Sequence, residues 1–238
     1  WHLKTFSIGF EDKQFDESRY AKQVSTYLHT QHYHQVFTAR DLLRTLPKVV
    51  EKLDEPLADA SILPTYLLAE FARKEVTVAL SGVGGDELFA GYPTYLAHQM
   101  ATYFNRLPEP ILGLSKNLLI NFGPILKLAP FLKHSPNLPF QFKMDRFFNG
   151  LDRDISRQYL NFMGPITLDK KRSLLIDQNE VAVALTRALA KKVKSRDLLT
   201  QLLYLDFKLY LTEDGLVEID RASSFNSLEV RPPFLNVD

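Results

Sequence analysis

The sequence predicts an α/β protein: a parallel sheet wrapped by helices over residues 1–100, then a mostly helical part over residues 101–238. Three observations carry this. Short β-rich runs alternate with helix-like patterns through the first hundred residues. The run Val76-Thr77-Val78-Ala79-Leu80 is β-branched and apolar, as central parallel strands buried on both faces are. Past residue 105 prolines gather and strand patterns fade, and from Leu151 onward helical spacing dominates.

The elements follow in order. Thr5-Phe6-Ser7-Ile8-Gly9-Phe10 reads as a first strand. Asp16 reads as a helix N-cap with Glu17 in the first turn, where a carboxylate favours the helix dipole. Phe15 and Tyr20 are spaced as a hydrophobic staple, and Tyr20, Val24, Tyr27 and Leu28 continue one helical face. His34 to Thr38 reads as a second strand. Ala39 to Leu53 reads as a second helix, kinked or broken at Pro47. Ser61 to Lys74 reads as a third helix, with Ser61 as its cap and Pro64 tolerated in the first turn. In the second half, Val181, Leu185 and Leu189 mark one helical face and Leu198, Leu202 and Leu205 another. This part is expected to pack over the sheet and close one side of a cleft.

Composition narrows the function classes. With 29 Lys and Arg against 28 Asp and Glu, no strong field draws the chain to nucleic acid or to a membrane surface. Lys170-Lys171-Arg172 and Lys191-Lys192 read as solvated faces. The absence of cysteine excludes disulfides, thiolate metal sites and a cysteine nucleophile within the chain, and fits a cytoplasmic location. Trp1-His2-Leu3-Lys4 is no signal peptide and reads as the lead-in to a strand, as if a segment preceded it. Ile111 to Leu132 is interrupted by Lys116, Pro124, Lys127 and Pro130, so it reads as broken amphipathic helices rather than a membrane span.

The most informative segment is Ser81-Gly82-Val83-Gly84-Gly85-Asp86-Glu87-Leu88-Phe89-Ala90-Gly91-Tyr92, between the apolar strand and a helix. Ligands of open parallel sheets bind beyond the carboxyl ends of the strands. Glycines let backbone N–H groups approach a phosphate, and carboxylates such as Asp86 and Glu87 can hold Mg²⁺ against phosphate oxygens. No Lys-Ser or Lys-Thr pair follows, so this is no Walker loop. Glu87 stands where a dinucleotide fingerprint starting at Gly82 needs glycine. On the glycines alone, a tight strand-to-helix turn capped by Asp86 is the favoured reading.

The whole string, Ser-Gly-x-Gly-Gly-Asp-Glu-Leu-Phe-x-Gly-Tyr, resembles a signature of the glutamine-dependent asparagine synthetases. Thr5–Phe10 with Phe15-Asp16-Glu17 resembles that family's strand after its pyrophosphate loop. Asp220-Arg221-Ala222-Ser223 with Ser227 to Leu235 resembles its late signature, and Asp54-Glu55-Pro56 and Pro64-Thr65-Tyr66 fit as well. The matches keep the family's order along nearly the whole chain. The resemblance implies a sheet of the adenine-nucleotide alpha-hydrolase-like, ATP pyrophosphatase type. It implies MgATP as cofactor and adenylation of a carboxylate, usually the side chain of aspartate. Amide formation would follow, with ammonia from a separate N-terminal glutaminase domain.

Carried over residue by residue, Ile8 would border the adenine, Ser81 and Gly82 would contact the nucleotide, and Asp86 would be a magnesium ligand. Asp214 and Asp220 would lie near the acyl-acceptor site, with a polar helix face as the alternative for both and for Glu218. Glu229 and Arg231 read as a structural ion pair. His32 and His34 point to one side of a strand without an apparent third metal ligand.

Three departures bear on these expectations. The family's earlier Ser-Gly-Gly-x-Asp-Ser loop and its later lysine-bearing segment are absent, so the chain reads as a fragment, inactive alone, whose exposed strand neighbour leaves a homodimer open. Val83 stands where well-known members carry an acidic residue. Val83 keeps two further readings in play: an amide-forming relative acting on another carboxylate, in polysaccharide or peptide modification, and, with the missing loop, a non-catalytic nucleotide- or partner-binding module.

Overall fold

The computed structural model describes residues 3–11, 16–108, 110–114, 140–175, 180–195 and 197–236. The chain divides into two compact units. The first comprises Trp1–Val83 with Glu213–Asp238, and the second Gly84–Thr212.

In the first unit, β1 (Lys4–Phe10) pairs in parallel with β2 (Gln31–Phe37), with Thr5 opposite His32 and Ile8 opposite Gln35. The helix α1 (Ser18–Tyr27) makes the crossover that parallel pairing requires. Side chains alternate across the pair. Phe6 stacks on Tyr33 at 5.2 Å and meets Phe71 edge-on at 6.0 Å, on one face. On the other, Thr5 Oγ1 lies 3.0 Å from His32 Nδ1, and Ser7 Oγ lies 3.1 Å from His32 Nε2 and 3.0 Å from His34 Nδ1. Gly9 allows a close approach: a Cβ there would stand 2.8 Å from both Asp16 Oδ1 and His34 Cε1, side-chain atoms that would have to shift to admit it.

Several predicted details change. Asp16 is not the cap of α1, which starts at Ser18 after Glu17. Its carboxylate instead accepts the Ser18 N–H at 3.1 Å and the Ser18 hydroxyl at 2.9 Å, a turn leading into the helix. Tyr20, Val24, Tyr27 and Leu28, expected as a core face, are all more than half exposed. The buried residue of α1 is Ser25, so the helix is turned by about one residue, about 100°, from the predicted orientation. The staple contact through Phe15 falls outside the described residues, as do Trp1 and most of the Ile111–Leu132 stretch.

Helix α2 (Ala39–Lys52) is started by a capping box. Thr38 Oγ1 accepts the Asp41 N–H, and the Asp41 carboxylate accepts the Thr38 hydroxyl at 2.7 Å and the Thr38 N–H at 2.8 Å, which in that order hold its carboxyl below the ordinary range. The helix runs through Pro47 without a break. In α3 (Ile62–Arg73), Ser61 stands at the N-cap position as expected, but it has helical φ and ψ and makes no capping hydrogen bond; its hydroxyl goes to Glu218 instead. Val49, Ile62, Tyr66 and Ala222 form the core between α2, α3 and α11 (Leu216–Ser224).

β3 (Val78–Leu80) pairs in parallel with β4 (Glu229–Arg231), a strand the sequence reading had not assigned. The described strands thus form two separate two-stranded parallel pairs rather than one sheet. The expectation that β3 is buried on both faces is also overturned, since Val78 and Leu80 are exposed. Only the Ala79 face is covered, by Ala69, Ala72, Leu228 and Val230.

The second unit is helical among its described residues: α4 (Gly85–Phe89), α5 (Pro93–Phe104), α6 (Phe140–Gly150), α7 (Ile155–Met163), α8 (Leu168–Leu174), α9 (Val181–Ala190) and α10 (Leu198–Leu205). Ala101, Met144, Phe147, Phe148 and Phe162 form one core cluster, and Tyr95, Tyr159, Leu202 and Leu205 another. Leu202 and Leu205 are buried as their spacing predicts. In α9 the buried positions are Val183 and Thr186, while Val181 and Leu185 are exposed. A π-helical stretch, Asp206–Gly215, continues α10 and runs on into α11. Such stretches concentrate at functional positions, and this one contains Asp214.

Candidate functional site

The glycine-rich segment begins where β3 ends. The Ser81 N–H donates to the Arg231 carbonyl at 3.0 Å, so the carboxyl ends of β3 and β4 stay tied one residue past the pair. Ser81 Oγ then accepts the Val83 N–H at 3.1 Å and tightens the turn. Gly82 is exposed, its φ lies outside the left-handed region, and a Cβ added to it would meet nothing within 4 Å. Neither backbone nor packing demands glycine there, which leaves open space beyond two parallel strand ends. Gly84 differs: its φ of 93° is a conformation that favours glycine.

Within the second unit, Gly84 is the N-cap of α4, and Asp86 makes no capping hydrogen bond. The reading of Asp86 as a cap therefore fails. The two adjacent carboxylates of the first turn have opposite fates. Glu87 is buried and accepts the Tyr92 hydroxyl at 2.8 Å, and burial followed by this carboxylate pushes the Tyr92 phenol far up. Asp86 is exposed and, among the described residues, its side chain has no hydrogen bond or ion pair. Partial desolvation, then the charge of Glu87, raises its carboxyl above the ordinary range. Gly91 makes room for it, since a Cβ at 91 would stand 1.8 Å from Asp86 Oδ1.

The first unit holds a second constellation. Glu218 accepts the Ser61 hydroxyl at 2.6 Å on one oxygen and the Thr65 hydroxyl at 2.5 Å on the other. These bonds favour its charged form, but burial outweighs them and raises its carboxyl. Asp214, one helical turn before Glu218, is pushed up to about 6 by burial, then by the charge of Asp59 and a hydrogen bond with it, then by Glu218. A carboxyl in that range can take up and release a proton near neutrality. Asp54 pairs with Arg221 at 3.0 Å, which joins two of the segments singled out in the sequence.

Asp220 does not join this group. It is exposed and lines a groove between α11 and β4. Ile8 is half-buried in β1, Val83 half-buried beside Ser81. Glu229 and Arg231 make the expected ion pair at 2.8 Å. His32 and His34 stack at 6.3 Å, their rings engaged by the strand hydroxyls. Among the described residues no three His, Asp or Glu side chains gather as a metal-binding group.

The asparagine synthase family profile matches residues 2–238. The chain belongs to the asparagine synthase family. It is 31% identical over 240 residues to glutamine-hydrolysing asparagine synthetase 1 of Bacillus subtilis, covering 98% of this chain and 35% of that protein. It is 49% identical over 107 residues to a Methanocaldococcus jannaschii protein provisionally named glutamine-hydrolysing asparagine synthetase 2, covering 45% of this chain and 21% of that one. The chain thus spans about a third of the length of relatives matched along nearly all of it.

For a member of the asparagine synthase family, the donor chemistry at Asp86 fits magnesium. Mg²⁺ is commonly held by one or two carboxylates together with substrate phosphates, and Asp86 offers one hard oxygen donor with no protein partner to give up. Sequence reading missed the clamp on Glu218, because Ser61 carried the signature of a helix cap and the partner lies 157 positions away. It also missed the buried oxygens of Asp206, Tyr95 and Tyr159, which influence one another's ionisation although Asp206 Oδ1 and both phenol oxygens lack a well-formed hydrogen bond. An aspartate among leucines, in Leu205-Asp206-Phe207, was the available signal.

The raised Asp214 gives a pH prediction. Its unfolded value is about 4, so the fold binds this proton more tightly than the unfolded chain does. The resulting stability is fully present below about pH 4 and is lost as pH rises through about 6. In Asp214→Asn this contribution to the pH dependence should vanish, making the protein more stable than wild type at pH 8 by less than about 1 kcal/mol, because the group is partly exposed. Urea unfolding at pH 5 and pH 8 measures it; equal pH slopes in the two proteins would sink the assignment.

Proposed function

We infer that the chain is the ATP-using, amide-forming part of a glutamine-dependent asparagine synthetase, a cytoplasmic carbon–nitrogen ligase. In this reading residues 1–100 carry the nucleotide site on a sheet of the adenine-nucleotide alpha-hydrolase-like type. Residues 101–238 complete the same synthetase domain. A substrate carboxylate, the side chain of aspartate in the leading case, attacks the α-phosphate of ATP and pyrophosphate leaves. Ammonia from a glutaminase domain then displaces AMP from the acyl carbon.

Each site residue has a role in this proposal. Ile8 borders the adenine. Ser81 and Gly82 present the strand end to the nucleotide. Asp86 would hold Mg²⁺, which when bound neutralises charge on the phosphates. Asp214, with its carboxyl near 6, accepts the proton that the attacking nitrogen releases; Asp220 is the other candidate for a part in the acceptor chemistry. Val83 shapes the acceptor pocket. An aliphatic side chain there also favours a second reading, in which the fold and the adenylation stay and the acceptor is a different carboxylate.

The observation that carries the nucleotide reading is the empty surround of Gly82. Glycine there serves neither φ nor packing, which is the pattern left when a ligand needs the backbone close. Gly82→Val should therefore leave the melting temperature of the full-length protein nearly unchanged and weaken ATP binding by about tenfold or more. Calorimetric titration with ATP is the test. Unchanged affinity in the valine variant would remove the loop from the nucleotide site.

A further inference from the structure

We propose that the groove between α11 and β4 binds a primary amine with an aliphatic body and discriminates against carboxylates. The groove encloses about 560 Å³, within the range of small-molecule sites. Its apolar wall comes from Leu216, Ile219 and Val230, and its polar wall from Asp220, Ser224 and Ser227. Among the described residues, no lysine, arginine or histidine lines it. The nearest cations in sequence are committed elsewhere: Arg221 to Asp54 at 3.0 Å and Arg231 to Glu229 at 2.8 Å. Asp220 itself, among the described residues, has no side-chain hydrogen bond or ion pair.

Charge complementarity decides what such a groove takes. An ammonium group carries three donors and a positive charge. The Asp220 carboxylate and the serine hydroxyls supply acceptors for it, while an alkyl body covers the aliphatic wall. A carboxylate ligand would meet Asp220 with no cation to neutralise either charge, an arrangement that costs affinity. The pairing of Glu229 with Arg231 leaves Asp220 as the uncompensated charge of the lining.

The position gives the groove its meaning. Pro232 lines one end and follows Arg231, whose carbonyl accepts the Ser81 N–H. The groove therefore adjoins the carboxyl ends of β3 and β4, where the nucleotide is proposed to bind. Any link to amide formation rests on that reading; the groove's preference for amines does not.

The test uses the full-length protein and three probes of matched length: butylammonium, butyrate and 1-butanol, titrated by NMR or calorimetry. ATP binding is measured separately without any of them. Butylammonium should bind at least about tenfold more tightly than butyrate. Asp220→Asn should erase most of that preference, and Asp220→Lys should reverse it toward butyrate. Because Asp220 is exposed, both variants are expected to fold, and circular dichroism verifies this. Equal binding of butylammonium and butyrate, a preference that survives in Asp220→Asn, or binding of none of the probes overturns the proposal. Loss of ATP binding with the amine preference intact would instead overturn the nucleotide reading and leave the groove assigned.

Discussion

Asp86→Asn in the full-length protein should lower the rate of ATP-dependent pyrophosphate release by two or more orders of magnitude without loss of stability. Both halves follow from the surroundings of one carboxylate. Its carboxyl is raised by partial desolvation and by Glu87, so at neutral pH the folded state holds a charge it disfavours. Asparagine keeps the shape and removes that charge, so the melting temperature should stay level or rise slightly. The same free oxygen is what a magnesium ion bound to phosphate would use, and stabilising charge on a leaving pyrophosphate is worth several kcal/mol. Glutaminase activity of the proposed N-terminal domain should be unaffected. Near-normal pyrophosphate release by the variant would show that Asp86 serves only the local turn. A marked drop in melting temperature would show that the carboxylate has a structural partner.

How far the sequence could go is visible in the elements themselves. Alternation and β-branching located β1, β2 and β3, because a parallel strand has to be apolar on the face a helix covers. Sequence reading starts α2 at Ala39 but misses its capping box and places Thr38 in the preceding strand, although Thr38 and Asp41 satisfy each other within four residues and need no tertiary partner. The other failures are of another kind. Ser61 carries a cap signature, yet it is spent on Glu218, a charged acceptor that rewards a hydroxyl more than a neutral backbone group does. The orientation of α1 was misjudged because an apolar stripe says which face could be buried, whereas the crossover between β1 and β2 decides which face is. β4 was missed because three residues, Glu229-Val230-Arg231, give no period to read.

The candidate site shows the same division. The order Gly-x-Gly-Gly-Asp-Glu marked a phosphate-like turn, and the resemblance gave its residues roles. Nothing in the string distinguishes the two acids, Asp86 and Glu87, although one is exposed and unpartnered and the other is buried against Tyr92. That difference comes from Tyr92, five positions on, folding back over the turn. Likewise Asp214 and Asp220 looked equivalent on one helix. Six positions at about 100° each separate their directions, and only Asp214 meets Asp59 and Glu218.

Gly91→Ala should reduce pyrophosphate release by about a hundredfold, and should do so through Asp86. The conclusion rests on which atoms a methyl group at 91 would meet. Its Cβ would lie 1.8 Å from Asp86 Oδ1, 2.8 Å from Asp86 Cγ and 3.2 Å from Asp86 Cα. The first two belong to a side chain that can rotate, so the turn can survive while the carboxylate is driven from its place. The cost to stability should be modest, about 1 kcal/mol, as for other local strain of this kind. A displacement of about 1 Å is enough to cost about two orders of magnitude in rate where positioning matters. A double-mutant cycle tests the causal step. If Gly91 matters to the reaction only by seating Asp86, then adding Gly91→Ala to Asp86→Asn should change the rate by less than about twofold. Independent, multiplying losses in the double variant would mean that Gly91 acts through the backbone of the turn, and the assignment of Asp86 would lose its positional support.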